Sequence, residues 1–406
     1  MIFVVLTSGT MIYLLSGGRS RGFEKNPVGG WEGQSLCGTI SPMETMKQEK
    51  QTRLARLAAV LPAWYQANAR DLPWRRTRDP YRIWVSEIML QQTRVSAVLG
   101  YYARFLTAFP TVEALAAAPE EQLMKLWEGL GYYSRARNLQ KAAGLVAAQG
   151  GFPESYEGLL ALPGVGEYTA GAIASAAFGL RTAAVDGNVL RVVSRVTDCR
   201  EDIALPRTKR AVKAALEAVM PTEEAAIRVF NQSTMELGAT VCVPNGAPKC
   251  EQCPAAEFCL GRLRGTAESL PVKTGKKARR VEEKTVFLLF RRGQVALRRR
   301  PDTGLLAGLW EFPNVEGSLA EQEAGEAVSA WGLTPRAWRS RLTAKHIFTH
   351  VEWQMTGYGL EVTGDGPEDF LWVDAEGLAA HAVPSAFARY YAQALEYTKE
   401  ATVWDG

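Results

Sequence analysis

The sequence lacks a strong excess of charge of either sign, because 47 Lys and Arg residues stand against 43 Asp and Glu residues. The net charge of +4 permits a nucleic-acid partner but does not by itself indicate one, since a local basic patch matters more than the total. An internal repeat of fixed period is also absent from the sequence. With 406 residues, 47% hydrophobic and 22% charged, the composition is that of a globular protein with two or three domains.

The N-terminal segment MIFVVLTSGTMIYLLSG lacks a basic region ahead of its apolar residues, so it makes a poor secretory signal. Ser, Gly and Thr interrupt it, and it is too short for a typical membrane span. The residues that follow are Gly-rich and carry no pattern. We therefore expect the functional chain to begin near Met43 or Met46, with residues 1–46 a disordered extension or a start-site artefact. A membrane anchor is the alternative.

Cysteine is scarce, which argues against a secreted disulfide framework and for a reducing compartment. Two of the six cysteines are isolated, and the other four fall within eighteen residues: Cys242, Cys250, Cys253 and Cys259. Seven, two and five residues separate them. This irregular spacing favours a four-iron four-sulfur cluster with a structural role. A structural zinc site is the alternative, since zinc prefers paired Cys-x-x-Cys motifs and only one such pair is present.

From about Leu54 to Leu260, apolar residues recur at three- and four-residue spacing, which indicates helices. The pattern is continuous in YRIWVSEIMLQQTRVSAVLGYYARFL and returns in YTAGAIASAAFG and GNVLRVVSRVTD. Pro and Gly residues punctuate the segments. The sequence therefore predicts a helical domain over residues 47–262.

The pattern changes after this domain. KTGKKARR, residues 273–280, has five basic residues in eight, so we interpret 263–283 as a basic linker. KTVFLLFRRGQVALRRR then predicts two strands around an Arg-Gly turn, and HIFTHVEWQMTGYGLEV and FLWVD predict further strands. LAEQEAGEAVSAWGL predicts a helix. Residues 284–400 are thus expected to form a separate α+β domain.

Two acids have unusual settings. Glu87 lies at the edge of an apolar helix face, and Asp186 precedes a helix as an N-cap. The ordinary interpretations are a solvated Glu and a simple cap. Cleavage of a glycosidic bond, however, uses one acid of raised pKa and one ionised carboxylate. With Tyr168 and Asn188 beside them, the two acids are candidates for this chemistry.

The helix-hairpin-helix segment LPGVGEYTAGAI, the acid in VDGN and the cysteine cluster together resemble the endonuclease III type of DNA glycosylase. Within that superfamily the chain is similar to the MutY family of adenine glycosylases. Further matching stretches are RDLPWRRTRDPYRIWVSEIMLQQTRV, GLGYYSRARNL, FNQSTMELGATVC and, near the C-terminus, LLAGLWEFPN. The resemblance runs from about Leu54 to the C-terminus. It implies an all-α helix-hairpin-helix glycosylase domain with an iron-sulfur cluster loop, plus an α+β Nudix-like domain.

The resemblance implies removal of adenine mispaired with 8-oxoguanine or guanine. Glu87 matches the acid that protonates adenine N7 and then activates water, and Asp186 matches the carboxylate that stabilises the oxocarbenium ion. Tyr168 and Asn188 match residues that orient the sugar and the Asp. Bifunctional relatives have a lysine at the position of Tyr168, which attacks C1′. A tyrosine cannot form that adduct, so a monofunctional glycosylase is expected.

The resemblance also implies DNA contacts for a larger set. Four residues match those lining the adenine pocket: Arg70, Arg75, Leu90 and Gln232. Gln92 and Tyr132 match wedges that enter the duplex, with Thr93 as a neighbouring DNA contact; for Tyr132 the ordinary alternative is a surface aromatic. Gly164 and Gly166 would let backbone amides approach a phosphate.

In the C-terminal domain, Ser329 and Ala330 stand where a Nudix hydrolase has the paired glutamates that hold magnesium, so binding without hydrolysis is expected. Phe348 matches a residue that intercalates, and Thr349 and His350 match residues that bond near the oxidised base. An inward strand residue is the alternative for Phe348. Two departures from the family are a first Cys gap of seven where six is usual and Thr349 in place of serine.

The resemblance thus implies one four-iron four-sulfur cluster and, as partner, double-stranded DNA with an adenine mispair. It implies a monomer in the cytoplasm, associated with the nucleoid and with no membrane. Three alternatives are weighed: a thymine-mismatch glycosylase, a non-catalytic iron-sulfur DNA-binding protein, and a Nudix pyrophosphatase. Glu87 and the Nudix-like domain argue against the first, the two acids argue against the second, and the missing glutamates argue against the third.

Overall fold

The computed structural model describes residues 4–7, 10–13, 42–275 and 278–404, with side chains within 48–275 and 278–400. Strands β1 (Val4–Thr7) and β2 (Thr10–Tyr13) form an antiparallel pair. The rest of the predicted extension up to residue 41, including Cys37, lies outside the described residues. None of the described helices combines the length and apolar character needed to cross a bilayer.

The predicted helical domain is confirmed. Its helices are α1 (Pro42–Asn68), α2 (Pro80–Leu90), α3 (Val95–Ala108), α4 (Val112–Ala117), α5 (Glu120–Trp127), α6 (Ser134–Ala148), α7 (Tyr156–Leu160), α8 (Glu167–Ala177), α9 (Gly187–Val196), α10 (Pro206–Val219), α11 (Glu224–Thr240) and α12 (Leu260–Leu263). Short 3-10 turns lie at Pro73–Arg75, Cys250–Gln252 and Ala267–Ser269. Helix α11, which no separate helical pattern predicted, supplies one wall of the site described below.

The helical pattern that is continuous over residues 81–106 is broken in the structure between α2 and α3. Asp79 caps α2 by accepting the Tyr81 N–H at 2.9 Å, and Pro80 occupies the first turn. The helix ends at Leu90, and Gln92 adopts a left-handed backbone with φ of 59°. A turn therefore stands directly after the helix that carries Glu87.

The helical domain has two hydrophobic cores. The first packs around Trp84, Phe105 and Trp127, and draws on α2 to α8. The second packs around Leu57 of α1 and Phe230 of α11, and draws on α9 and α10 as well. Helices α2 and α8 of the first core face α9 and α11 of the second, so a cleft forms where the two cores meet.

Helices α7 and α8 and the turn between them form the predicted helix-hairpin-helix. Gly164 has φ of 75°, and a Cβ there would lie 2.7 Å from the Cβ of Asn138. Both the backbone conformation and the close approach therefore require glycine. Helix α8 begins at Glu167 with Gly166 as its cap, so its first turn points toward solvent beside Tyr168.

The C-terminal part is the predicted α+β domain. Its elements are β3 (Arg280–Arg291), β4 (Gln294–Arg299), β5 (Trp310–Glu311), β6 (Asn314–Glu316), α13 (Glu321–Ala330), β7 (Thr334–Ile347), β8 (Val351–Thr363), β9 (Phe370–Val373), α14 (Ala375–Ala380) and α15 (Ala388–Trp404). The sheet has the order β5-β4-β3-β8-β7, with β6 on β3 and β9 on β4. Strands β3 and β8 are parallel, and the other pairs are antiparallel. Helix α13 packs on one face of the sheet, and α14 and α15 pack on the other.

Two boundaries differ from the sequence expectation. Strand β3 begins at Arg280 and not at residue 284. Leu270 O accepts from Arg195 Nε at 2.9 Å and Val272 O accepts from Ile203 N at 3.1 Å, which places residues up to 272 on the helical domain. The Arg-Gly turn is confirmed: Arg292 and Gly293 both have positive φ, as a type I′ hairpin turn requires.

Candidate active site

A cavity of about 560 Å³ opens between the two helical cores. This volume is typical of a site for a small ligand and leaves room for a nucleoside. All predicted residues of the reaction and of the adenine pocket line it: Arg70, Arg75, Glu87, Leu90, Tyr168, Asp186, Asn188 and Gln232. Gln92 and Thr93, which were predicted to contact the duplex, line it as well. We call two of its sides the catalytic wall (Glu87, Tyr168, Asp186 and Asn188) and the arginine wall (Arg70, Arg75 and Glu236).

Glu87 projects from α2 into the cavity. Burial raises the pKa of its carboxyl to about 7, although the hydrogen bond from Tyr168 acts in the opposite direction. That bond runs from Tyr168 Oη to Glu87 Oε2 at 2.7 Å. The negative charge of Asp186 raises the pKa of Glu87 further. Among the described side chains no Lys or Arg forms an ion pair with Glu87, so its protonated form persists near neutral pH.

Asp186 caps α9 on the opposite side of the cavity. Its Oδ1 accepts the Val189 N–H at 2.8 Å, and its Oδ2 accepts the side-chain amide of Asn188 at 2.6 Å. Burial raises the pKa of Asp186, and these hydrogen bonds oppose the rise. The two acids therefore share one cavity. Their surroundings differ, because Asp186 accepts two amide donors and Glu87 accepts one hydroxyl.

Tyr168 lies in the first turn of α8, between the two acids. Burial and the nearby charge of Glu87 raise the pKa of its hydroxyl well above the ordinary value. The hydroxyl therefore stays protonated and donates a hydrogen bond. Met235 Sδ lies 3.4 Å from the same oxygen, so the hydroxyl has an apolar neighbour as well.

The arginine wall contains a residue that the sequence analysis missed. Glu236 has no exposed side-chain surface, and Arg70 reaches it with Nε and Nη2 at 2.7 Å each. Arg75 Nη2 donates to the same carboxylate at 2.6 Å. Burial alone would raise the pKa of Glu236, but the hydrogen bonds from the two arginines outweigh it and lower the pKa to about 2. Its position four residues after Gln232 on α11 was the available signal, because such residues share a helix face.

Gln232, Leu90 and Thr93 complete the set of predicted residues that line the cavity. Gln232 Oε1 accepts from Tyr65 Oη at 2.9 Å, which fixes the orientation of its side-chain amide. Leu90 is the last residue of α2 and is half-buried in the cavity wall. Thr93 Oγ1 lies 3.4 Å from Gln91 O in the turn between α2 and α3.

Tyr132 lies outside the cavity, with 44% of its surface exposed and φ of 49°. Its hydroxyl is 2.8 Å from Thr349 Oγ1 of the C-terminal domain. Thr349 and His350 lie in the turn between β7 and β8, and both are exposed. The structure thus joins two residues predicted to contact DNA, although one comes from each domain.

Phe348 takes an inward position in this structure. Its ring packs edge-on against Trp353, with ring centroids 4.9 Å apart, and against His346 at 4.5 Å. Its N–H donates to Val351 O at 2.8 Å. This packing agrees with the inward alternative, and intercalation requires the ring to leave this contact.

The helix-hairpin-helix glycines line a second hollow of about 420 Å³ on the far side of Tyr168. Lys209 and Lys213 of α10 also line it, and sequence reasoning did not single them out. Lys213 Nζ stands 3.9 Å from the centroid of the Tyr156 ring. Glycine amides and lysines around one hollow form a suitable place for a phosphate.

The four clustered cysteines are free thiols that line one small cavity. In the described part of the chain, no three His, Cys, Asp or Glu side chains form a group that could hold a metal ion. Arg195 is 2% exposed and has no carboxylate partner among the described residues, but its Nη1 donates to Cys242 Sγ at 3.3 Å. A buried cation needs a nearby negative charge, which a thiolate-bound cluster supplies.

Arg191 connects this cysteine loop to the catalytic wall. Its Nε donates to Cys242 O at 2.7 Å, and its Nη2 donates to Asn188 Oδ1 at 2.8 Å. Asn188 in turn donates to Asp186. The orientation of Asp186 is therefore supported, through Asn188 and Arg191, by the backbone of the loop that carries Cys242.

Two family models match the chain: "HhH-GPD superfamily base excision DNA repair protein" over residues 85–221 and "NUDIX domain" over residues 285–393. The adenine DNA glycosylase of Homo sapiens is 35% identical over 401 residues, which cover 82% of this chain and 72% of that protein. The Mus musculus enzyme is 35% identical, covering 82% and 76%. The Schizosaccharomyces pombe enzyme is 29% identical, covering 86% and 91%. With both domains matched and this identity over most of its length, the chain belongs to the adenine DNA glycosylase family, hydrolases of the N-glycosidic bond in base excision repair.

Proposed function

We propose that the catalytic wall hydrolyses the N-glycosidic bond of an adenine opposite 8-oxoguanine or guanine, with Glu87 as general acid and then general base. Protonation of adenine N7 by Glu87 lets the bond between C1′ and N9 break, with its electron pair leaving on the purine. Glu87, now ionised, takes a proton from water as the oxygen bonds to C1′. The products are free adenine and an abasic site. The pKa of about 7 at Glu87 supports this role, because a catalytic acid works best with a pKa near the working pH.

Asp186 has the complementary role in this proposal. The amide donors of Val189 and Asn188 favour its ionised form, and a carboxylate beside C1′ stabilises the positive charge that develops on the sugar. Tyr168 holds the Glu87 carboxyl through its 2.7 Å hydrogen bond. Because Tyr168 stays protonated and carries no amine, we infer a monofunctional enzyme. Borohydride should trap no covalent adduct with DNA, and a trapped adduct would contradict this inference.

Adenine recognition is assigned to the side of the cavity that holds Arg70, Arg75, Leu90 and Gln232. Gln232 presents an oriented amide, and amides pair well with the edge of adenine. Extrusion of the base from the duplex is assigned to Gln92 and Tyr132, with Thr93 beside them, and phosphate binding to Gly164 and Gly166. The partner in this proposal is double-stranded DNA that contains an adenine mispair, bound by a monomer.

The C-terminal domain is proposed to recognise the oxidised guanine. The turn of Phe348, Thr349 and His350 stands beside Tyr132, so a wedge and this turn can meet the same base pair. Helix α13 has Ser329 and Ala330 where a hydrolase has paired glutamates, so we expect binding without hydrolysis.

The cysteine loop is proposed to hold one four-iron four-sulfur cluster, with Cys242, Cys250, Cys253 and Cys259 as ligands. The donor set fits, because four thiols line one cavity beside the buried guanidinium of Arg195. Bound there, the cluster would supply a structural cross-link of the loop and not a step of hydrolysis.

Replacement of Glu87 by glutamine tests the proposed reaction. With enzyme in excess over a duplex that contains one 8-oxoguanine·adenine pair, the Glu87→Gln rate should fall by about 100-fold to 10,000-fold, the range for loss of a general acid. DNA binding should be retained. Glu113→Gln, an exposed acid in the first turn of α4, is the matched control. Base excision at the unaltered rate by Glu87→Gln would overturn the assignment, and faster cleavage of a guanine·thymine duplex would favour the thymine-mismatch alternative.

A further inference from the structure

Arg135, in the first turn of α6, binds the backbone of two separate turns at once. Its Nη1 donates toward three carbonyl oxygens at the end of α2, at 2.7, 3.2 and 2.6 Å: those of Ile88, Met89 and Gln91. Its Nη2 donates to the oxygens of Leu130 and Gly131 at 3.0 Å each. One guanidinium therefore joins the turn after α2 to the turn before α6.

The two turns joined in this way are the ones that carry the proposed DNA wedges. Gln92 follows Gln91, and Tyr132 follows Gly131. Both wedge residues have a left-handed backbone, with φ of 59° and 49°, which is unfavourable for side chains other than glycine. Such conformations persist only where the surrounding structure holds them. The five contacts of Arg135 provide that support on the chain immediately before each wedge.

The charge of Arg135 is not available for DNA or for a carboxylate. The side chain is half-buried, with its guanidinium carbon 5.4 Å from the centroid of the Trp127 ring. Burial lowers its pKa to about 10, and no described carboxylate forms an ion pair with it. Backbone carbonyl groups occupy the donors of both terminal nitrogens, and the remaining Nε is enclosed in the protein. A structural link between the two turns is what this arrangement can provide.

We propose that Arg135 is a positioning residue that holds Gln92 and Tyr132 as one rigid pair and thereby sets how completely the adenine is extruded. This inference rests on the wedge roles proposed above. Extrusion costs unstacking free energy. A wedge side chain that can move out of the duplex stabilises the extruded state less, so a smaller fraction of the base is extruded. Arg135 touches no reacting atom. It acts through the two turns and through its guanidinium, whose carbon lies 5.6 Å from the centroid of the Tyr132 ring.

An arginine is required for this geometry. The planar guanidinium presents two terminal nitrogens that reach two different turns, whereas the single ammonium of lysine is one point of attachment. Arg135→Lys therefore keeps the charge and removes the link. If Arg135 acted instead as a positive charge toward DNA, lysine would replace it. The two roles make opposite predictions for this variant.

Extrusion can be measured without cleavage in a Glu87→Gln background, by stopped-flow fluorescence of 2-aminopurine placed beside the target adenine. In this background we expect both Arg135→Lys and Arg135→Gln to reduce the fluorescence rise about tenfold. In the enzyme with Glu87 intact, the same two variants should reduce the single-turnover rate by about 100-fold, the size of loss that a small misplacement of the substrate causes. Arg137→Gln is the matched control. Arg137 lies on the same helix and binds Glu120 and Ala307 O, and it should leave both readouts unchanged.

Reference variants separate this inference from the proposed function. Gln92→Ala and Tyr132→Ala should lower the fluorescence rise as much as the Arg135 variants do. If these two lower it and the Arg135 variants do not, the link is wrong and the wedge roles stand. If neither wedge variant lowers it, the wedge roles fail and the link fails with them. Full extrusion by Arg135→Lys, or a smaller salt dependence of DNA binding in Arg135→Gln, would identify a charge effect and overturn the inference.

Hydrogen exchange in the unaltered protein provides a test that does not depend on how the variants fold. If Arg135 joins the two turns, residues 89–93 and 129–133 should open as one unit, with equal protection that responds equally to urea. Clearly different opening free energies for the two turns would overturn the proposal.

Discussion

Glu87 and Glu236 line the same cavity, yet their carboxyl groups have opposite properties. On the catalytic wall, burial without an ion-pair partner raises the pKa of Glu87 to about 7. On the arginine wall, the hydrogen bonds from Arg70 and Arg75 outweigh burial and hold the pKa of Glu236 at about 2. Both acids begin from the same ordinary value of 4.5, so the partners decide the difference.

The comparison distinguishes a carboxyl that suits acid-base chemistry, that of Glu87, from a carboxylate that holds neighbouring side chains in place, that of Glu236. Glu87 can exchange a proton near neutral pH because nothing positive is bonded to it. Glu236 remains ionised, and it fixes the two guanidinium groups that form one side of the proposed adenine pocket. Removing either carboxyl charge, or one of its hydrogen-bond partners, should therefore have a distinct effect on stability or on rate.

The largest effect is expected from Glu236→Gln. It leaves Arg70 and Arg75 in the cavity wall without their carboxylate, and breaking a buried ion pair from one side costs about 3–5 kcal/mol. The free energy of unfolding in urea should fall by this amount. Glu87→Gln should instead leave stability at neutral pH unchanged or raise it, because it removes an unpaired buried charge.

Glu224→Gln is the matched control for that measurement. Glu224 lies on the same helix α11 and pairs with Arg78, but both side chains are exposed, at 59% and 61%. An exposed pair contributes about 0–1 kcal/mol. Equal losses from Glu236→Gln and Glu224→Gln would show that the arginine wall does not depend on its buried carboxylate.

The two acids should also stabilise the protein in opposite pH ranges. The pKa of Glu236 falls on folding from 4.5 to about 2, so its contribution is present above about pH 4.5 and is lost as the pH falls toward 2. The pKa of Glu87 rises on folding from 4.5 to about 7, so its contribution is present below about pH 4.5 and is lost as the pH rises toward 7. Each shift corresponds to about 3 kcal/mol.

Denaturant unfolding of the wild type and of each Gln variant between pH 3 and pH 8 measures these contributions. Relative to Glu87→Gln, the wild type should lose stability as the pH rises from about 4.5 to 7. Relative to Glu236→Gln, it should lose stability as the pH falls below about 4.5. The same direction of change for both variants would contradict the opposite pKa shifts.

Much of this site follows from the sequence. The VDGN motif identifies Asp186 as a helix cap, and the motif match identifies Glu87, Tyr168 and Asn188. The pKa values could not be predicted, because they depend on which side chains meet across the cleft between two cores. Glu236 was missed because its partners, Arg70 and Arg75, are distant in sequence. Arg135 was missed because a guanidinium that binds only backbone groups leaves no sequence pattern.

The sequence likewise predicted only those helices and strands of the fold that carry a clear apolar pattern. Strand β3 was predicted because its segment from Val286 to Phe290 is apolar and buried on both faces, and helix α13 was predicted because one face is apolar. Strand β7 was missed at its N-terminal end, because its residues alternate only between exposed and half-buried and none is fully buried. Helix α15 packs Tyr390 against the sheet, and Phe387 packs there from the 3-10 turn just before the helix; neither had a separate signal.

A smaller change than those above is expected from Tyr168→Phe on the catalytic wall, which should shift the pKa of Glu87. The 2.7 Å hydrogen bond from Tyr168 lowers the pKa of Glu87 against the rise from burial, so Tyr168→Phe should raise that pKa. The rate of base excision falls as the general acid deprotonates, and this fall should move to higher pH by the same amount. Single-turnover rates between pH 5.5 and 9.5 measure the midpoint. Tyr156→Phe, whose hydroxyl bonds to Glu167 O and not to Glu87, is the control and should keep the wild-type midpoint. An unchanged midpoint in Tyr168→Phe would mean that burial and the charge of Asp186 alone set the acidity of Glu87. A midpoint at lower pH would mean that the Tyr168 hydroxyl raises the pKa of Glu87, contrary to this prediction.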